Sequence, residues 1–262
     1  MDLSNKSSVI NILRTHGIYL QKSFGQNFLI DKNVLDEIVS SAGISEKDDI
    51  VEIGPGLGVL TSELCKKAHK VTSIELDSKF LPILKNILSE FKNVEVINMD
   101  ALKFNPPKTP YKVVANIPYN ITSPLINHFL RAENPPSSMT LLVQKEVAEK
   151  ICERDKKSSI LSLQIKLFAA TKTIGIVSKN AFLPPPKVDS AIIRIDVYKK
   201  TDPQFVDKET ALKILEVAKK TFSQKRKKLS NTLPVEYKNT KIDLNRRPET
   251  LSVAEWLEIL GV

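Results

Sequence analysis

Cysteine is nearly missing from this 262-residue chain: Cys65 and Cys152 stand far apart and without metal-ligand spacing. That excludes a disulfide framework and suits a reducing compartment. Histidine is as scarce, and His16, His69 and His128 are unpaired and distant from both cysteines, so no zinc or other metal site is expected. No apolar run approaches the ~20 residues of a membrane-spanning helix. The start, Met1-Asp2-Leu3-Ser4-Asn5-Lys6, lacks the charged-then-apolar pattern of a signal peptide, so a cytoplasmic protein with no membrane partner is expected. Neither a Gly-x-Ser-x-Gly elbow nor a Walker sequence is present.

What is present is an ordinary globular composition, 42% hydrophobic and 26% charged, which excludes a disordered chain. Its length suits one large domain, or one with a smaller appendage. Acids are in deficit, with 30 Asp/Glu against 39 Lys/Arg and a net charge of +9. The imbalance is uneven: from Lys199 to Val262 there are 14 Lys/Arg against 9 Asp/Glu. A basic module behind a milder body points to a polyanionic partner, nucleic acid ahead of a membrane surface. Solubility alone is the competing explanation.

Short β-branched runs alternate with amphipathic stretches through the first three-quarters of the chain. Strands are predicted at Asp49–Ile53, Lys70–Ile74, Val94–Ile97, Lys112–Ala115, Thr140–Val143, Thr173–Val177 and Ala191–Val197. Helices are predicted at Asp31–Ala42, Leu57–Lys67, Ser78–Phe91 and Ser123–Arg131. Such alternation gives a parallel sheet covered on both faces. Only a Pro-rich turn separates the last two strands, which predicts an antiparallel hairpin at the sheet edge. Beyond the polar connector Lys199–Pro203 the pattern becomes helical, with Asp207–Phe222 and Leu251–Leu260 as its helices. The expected division is therefore 1–198 and 199–262.

Val51-Glu52-Ile53-Gly54-Pro55-Gly56-Leu57-Gly58 is a strand entering a glycine-rich turn and then a helix. Glycine at 54 and 56 allows a ligand to lie against bare backbone, beside the unpaired amides of a helix start. Glu75 closes the next strand, where a carboxylate can accept both hydroxyls of a ribose. This arrangement suits NAD as well as S-adenosylmethionine, and Gly-x-Gly turns also serve plain packing. Asp100 ends the third strand and could reach an adenine's exocyclic amine, which favours an adenosyl ligand without pyrophosphate; its plainer role is a helix cap.

Asn116-Ile117-Pro118-Tyr119 follows the fourth strand, at the carboxyl edge where open α/β sheets bind ligands. An exocyclic base amine is a poor nucleophile, because its lone pair is conjugated into the ring. A site that methylates it needs hydrogen-bond acceptors, so that the nitrogen can rehybridise as it attacks. Asn116 supplies a side-chain oxygen and the Ile117-Pro118 segment a carbonyl, while Tyr119 offers a ring face for an extruded base. The tetrapeptide could also be a mere turn. Standing after a fourth strand, below the glycine turn and Glu75, it reads as a methyltransferase signature.

The set of motifs resembles the ribosomal RNA adenine dimethyltransferases, in particular their small-subunit branch, the KsgA family. The resemblance runs nearly the full length. It is carried by Gln21–Leu29, the glycine turn, Glu75-Leu76-Asp77, Met99-Asp100-Ala101, Asn116–Ile121 and Phe182–Ala191. It implies a Rossmann-like α/β sheet of the class I S-adenosylmethionine-dependent methyltransferase kind, mostly parallel with the last strand antiparallel, and a small C-terminal all-helical domain. Residues 1–198 would bind S-adenosylmethionine and 199–262 would bind RNA. The implied reaction puts two methyls on each of two adjacent adenines in a 3′-terminal hairpin loop of small-subunit (16S) ribosomal RNA, on an immature 30S particle, by a monomeric enzyme consuming four S-adenosylmethionine molecules. Implied cofactor contacts are Asn27, Leu29, Gly54, Glu75, Asp100 and Asn116; implied catalytic residues are Asn116, Pro118, Tyr119 and Phe182, the last as a second aromatic opposite Tyr119. Without the family, Phe182 reads as a core residue. Glu52 could lie near the methionine end or be structural. Lys22, Lys219, Lys220, Lys225, Arg226, Lys227, Lys228, Arg246 and Arg247 are candidate phosphate contacts, with a solvated helix face as the alternative. Two other readings are a macrolide-resistance-type dimethylase of large-subunit RNA and a non-catalytic nucleic-acid-binding factor on the same fold.

Overall fold

The computed structural model describes residues 5–18, 27–152, 158–224 and 226–262. Its strands are β1 (Phe28–Leu29), β2 (Asp49–Ile53), β3 (Lys70–Glu75), β4 (Val94–Asn98), β5 (Tyr111–Asn116), β6 (Ser138–Gln144), β7 (Ala169–Val177), β8 (Phe182–Leu183) and β9 (Ser190–Val197). Its α-helices are α1 (Lys6–Thr15), α2 (Lys32–Ser41), α3 (Val59–Cys65), α4 (Leu81–Ile87), α5 (Thr122–Leu130), α6 (Lys145–Ile151), α7 (Ile160–Phe168), α8 (Lys208–Phe222), α9 (Leu229–Thr232) and α10 (Val253–Leu260). Among the described residues no helix is long and apolar enough to cross a membrane.

The seven-stranded sheet has the order β4-β3-β2-β5-β6-β9-β7. The pairs β3–β4, β2–β3, β2–β5 and β5–β6 are parallel, and β9 runs antiparallel to β6. Strand order reverses direction between β2 and β5, which opens a crevice at their carboxyl ends. The first six residues of β6 are buried without alternation, the mark of a strand covered on both faces. The caps follow the sequence: the Asp31 carboxylate accepts the amides of Asn33 and Val34 to start α2, and Asp207 accepts that of Thr210 to start α8.

Strands β7 and β9 are neighbours at one edge, as expected for consecutive strands. The segment between them is more than a turn. It holds β8, which pairs antiparallel with β1, Phe28 opposite Leu183 and Leu29 opposite Phe182. Two-residue strands carry no periodicity, so neither is visible in the sequence.

The chain divides into two compact units, one of Met1–Ala148 with Lys172–Asp196, the other of Glu149–Thr171 with Val197–Val262. The division at 196/197 lies beside the expected 198, but the helical unit also recruits 149–171. The reason is burial: Leu163 and Leu167 of α7 join Ile214, Leu215 and Phe222 of α8 and Trp256 of α10 in one apolar cluster. Phe222 and Trp256 stack, with ring centroids 6.4 Å apart. Ser252 and Glu255 close a capping box on α10.

Candidate active site

A cavity of about 370 Å³ opens at the carboxyl ends of β2, β3 and β5, within the usual ~300–1,000 Å³ of small-molecule sites. Its walls come from four places. The turn after β2 gives Gly54, Pro55 and Gly56; the end of β3 gives Glu75 and Leu76; Asn116 to Tyr119 close β5; and Asn27 to Leu29 come in with β1.

The turn is bare because it must be. Gly56 sits at φ +56°, and a Cβ there would lie 3.2 Å from the Phe28 ring; Gly54 sits at φ +69°. Both are left-handed conformations that side chains resist. The turn is held by Glu75, whose Oε2 accepts the Gly56 amide at 3.2 Å while Oε1 accepts that of Asp77 at 2.8 Å. Burial pushes the Glu75 carboxyl above the ordinary range, and the two amides pull it partly back.

Glu52 is 1% exposed. Ser73 donates its hydroxyl to Oε2 at 2.6 Å, whereas Oε1 is buried without a hydrogen-bond partner among the described residues. The Thr61 hydroxyl faces the same carboxyl without completing a hydrogen bond. Burial, offset in part by Ser73, raises Glu52 to about 7. Two buried carboxyls in one small cavity, one with an open acceptor, complement a ligand carrying positive charge and hydroxyl donors.

Asn116 ends β5 and donates from Nδ2 to the Asn27 carbonyl at 3.1 Å. That bond fixes the amide's orientation and keeps Oδ1 as its acceptor. The Pro118 carbonyl accepts the Ile121 amide at 3.1 Å, whereas the Ile117 carbonyl accepts no hydrogen bond among the described residues. Of the two carbonyls in this segment, that of Ile117 is therefore the one left open among the described residues. Tyr119 is half-buried and opens a short 3₁₀ turn.

Asn27, Leu29, Gly54, Glu75, Asn116, Pro118 and Tyr119 thus share one cavity. Asp100 and Phe182 are not on its wall. The Asp100 carboxylate accepts the Leu102 amide at 2.9 Å and caps the 3₁₀ turn Ala101–Lys103. Phe182 is 2% exposed and packs with Leu29, Leu35 and Ile38 in the core. Each has the plainer role its sequence allowed. Leu76, which stands within the Glu75-Leu76-Asp77 motif but carries no expected contact, also lines the cavity and is 68% exposed. Phe28 and Phe80, edge to face with centroids 5.8 Å apart, also line the cavity.

Among the basic candidates, Lys219, Lys220, Arg226, Lys227, Lys228 and Arg247 are exposed. Arg246 is committed within its own unit, to Glu255 and to Thr250. Lys22 and Lys225, with Gln21–Gln26 of the first motif, lie outside the described residues.

A family model described as ribosomal RNA adenine dimethylase matches residues 18–261. Proteins named ribosomal RNA small subunit methyltransferase A are similar throughout: that of Listeria welshimeri is 36% identical over 98% of this chain and 95% of its own. That of Clostridium botulinum is 38% identical over 94% of each. Among solved structures, a dimethyladenosine transferase from Plasmodium falciparum aligns with TM-score 0.74 and 28% identity over 89% of this chain and 96% of that one. The 23S rRNA methyltransferase ErmE aligns at 0.72 and 26% over 90% and 98%. The fold is that of the class I S-adenosylmethionine-dependent methyltransferases, and the glycine turn, the Glu75 carboxylate and the open acceptor on Glu52 fit S-adenosylmethionine as methyl donor. With a matching family model over nearly the whole sequence and relatives above one-third identity, the chain belongs to the ribosomal RNA adenine dimethylase family.

Proposed function

We propose that this protein transfers methyl groups from S-adenosylmethionine to the exocyclic N6 of adenines in small-subunit ribosomal RNA, two on each of two adjacent adenines in the 3′-terminal hairpin loop. The carrying observation is that one cavity joins the carboxylate-bearing glycine turn to Asn116-Ile117-Pro118-Tyr119. The bound donor supplies an electrophilic sulfonium methyl. Glu75 is placed to accept ribose hydroxyls, the bare turn to lie against the ligand, and Glu52 to balance positive charge.

On the acceptor side, Asn116 Oδ1 and the Ile117 carbonyl take the amine hydrogens, two in the first transfer and the single remaining one in the second. This turns the nitrogen lone pair out of conjugation with the ring. Each transfer breaks the donor's S–CH3 bond and releases one amine proton. No base need act before attack, because the nitrogen becomes acidic only as positive charge develops on it. Catalysis rests on alignment and on acceptors fixed before the reaction. Tyr119 provides a stacking face for the extruded base. Phe182 and Asp100 are proposed to reach their ligands, a second stacking face and the adenine amine, only in the loaded enzyme. The exposed cations of the helical unit are proposed to meet RNA phosphates. The enzyme is proposed to act as a cytoplasmic monomer on an immature 30S particle.

The test is mass mapping of ribosomal RNA after incubation of undermethylated small subunits with S-adenosylmethionine. Two dimethylated adjacent adenines near the 3′ end are expected. Methyl transfer to large-subunit RNA alone would overturn the substrate, and a protein that binds no S-adenosylmethionine would be a nucleic-acid-binding factor instead.

A further inference from the structure

One bond in the catalytic unit is unaccounted for by the roles above. The Tyr119 hydroxyl and the Ser190 Oγ lie 2.5 Å apart, joining residues 71 positions apart in the chain. Ser190 is 0% exposed. It opens β9 opposite Gln144, the last residue of β6. The backbone before it is clamped on two sides: the Asp189 carbonyl accepts the Lys145 amide at 3.0 Å, and the Asp189 carboxylate accepts the Lys179 amide at 3.0 Å. Ser190 is therefore a fixed point, and the phenol is bonded to it.

The geometry determines what such a bond can do. Tyr119 is held at its base by the strand end and Pro118, and its carbonyl accepts the Thr122 amide. The hydroxyl lies on the ring's long axis, so anchoring it stops the ring from swinging about χ1. A half-turn about that axis exchanges two identical faces. The bond thus fixes where the stacking surface sits without needing to fix which face is shown. A half-buried aromatic otherwise has several staggered χ1 positions open to it.

We propose that Ser190 is a positioning residue that anchors the Tyr119 ring as the platform for the target base, acting on turnover of the nucleic-acid substrate and leaving S-adenosylmethionine binding alone. This rests on the reading of Tyr119 as the stacking residue. Ser190 is not on the cavity wall; its effect passes through Tyr119.

The test is a double-mutant cycle of Ser190→Ala and Tyr119→Phe, the latter keeping the ring and losing only the hydroxyl. Single-turnover methyl transfer to undermethylated small subunits should fall about 10–100-fold in each single variant, the range expected for a displaced reacting group. The double variant should lose no more than either single, because both remove one bond. S-adenosylmethionine affinity and melting temperature should stay near wild type in Ser190→Ala. With 2-aminopurine at the target adenine of an RNA hairpin, stacking quenching should weaken in both single variants while RNA affinity holds. Losses that multiply in the double variant, an unchanged rate in Ser190→Ala, or a parallel loss of donor affinity would overturn the proposal. Should the wild type methylate only large-subunit RNA, the substrate reading falls alone, and the same cycle on that RNA judges Ser190. Methylation of neither RNA overturns both.

Discussion

The two units bury their polar groups by opposite rules. In the catalytic unit, Glu52 and Glu75 are 1% and 7% exposed, and burial pushes both carboxyls up. In the helical unit the apolar core is Leu, Ile, Ala, Val, Phe and Trp, its buried polar residues among those described are the uncharged Ser162, Gln164 and Thr221, and ion pairs such as Glu209–Lys213 and Glu216–Lys220 are exposed. The first arrangement costs stability and is kept where a ligand repays it; the second keeps whole carboxylate side chains out of the core and leaves cations at the surface. One unit is organised around what it binds inside, the other around its own packing.

Truncating the packed unit should give the largest effect. Trp256→Ala removes a fully buried indole stacked on Phe222 and should destabilise the protein by about 3–5 kcal/mol. Donor affinity of the folded variant should be unchanged, since the described residues that line that cavity all lie within 27–119; calorimetric unfolding with donor titration measures both, and a lost donor site would break the contrast. Next comes Asn116→Ala, which should lower kcat by about 10²–10³-fold with donor affinity within a few-fold. Equal losses in both would make Asn116 chiefly a donor ligand.

Glu52→Gln sharpens the comparison through pH. Glu52 titrates near 7 in the folded state against 4.5 in the open chain. Between these values the unfolded chain has released a proton that the folded protein keeps, so stability falls as pH rises through the window and levels off above about 7. The amide variant should lose this component of the slope in melting temperature measured without donor; an unaltered slope would assign the pH dependence elsewhere. The smallest effect belongs to the surface: Arg226→Glu with Lys227→Glu should weaken RNA binding and flatten its salt dependence by about 0.7–0.9 for each phosphate no longer neutralised. An unchanged slope would return both to ordinary solvated surface.

The catalytic unit is largely legible in the sequence because its signals are local. A capping Asp31, a strand running into Gly54-Pro55-Gly56, and Asn116-Ile117-Pro118-Tyr119 each declare a structure within a few residues. What stays hidden depends on distant partners. β1 and β8 exist only through each other, and the Tyr119–Ser190 bond joins residues 71 positions apart. Helix α7 carries Ile160, Leu161, Leu163, Ile165 and Leu167 and is apolar nearly all round, so no face announces its allegiance to residues beyond 197. Glu75 can be read as a strand-ending acid, but its grip on the Gly56 amide cannot. Asp100 and Phe182 show the reverse: family resemblance gives each a ligand, and the structure gives each a plainer occupation.

The placement of residues 149–171 in the helical unit governs how the molecule can be made and cut. On the ribosome that unit stays incomplete until the last helix emerges, because α7 must wait for partners synthesised some fifty to ninety residues later. A gene fragment stopping at 198 would carry an orphaned hydrophobic helix, and a fragment starting at 199 would lack one wall of its interior. Clean dissection requires excising the excursion between 148 and 172 and rejoining its ends, or permuting the chain so that both helical segments become contiguous.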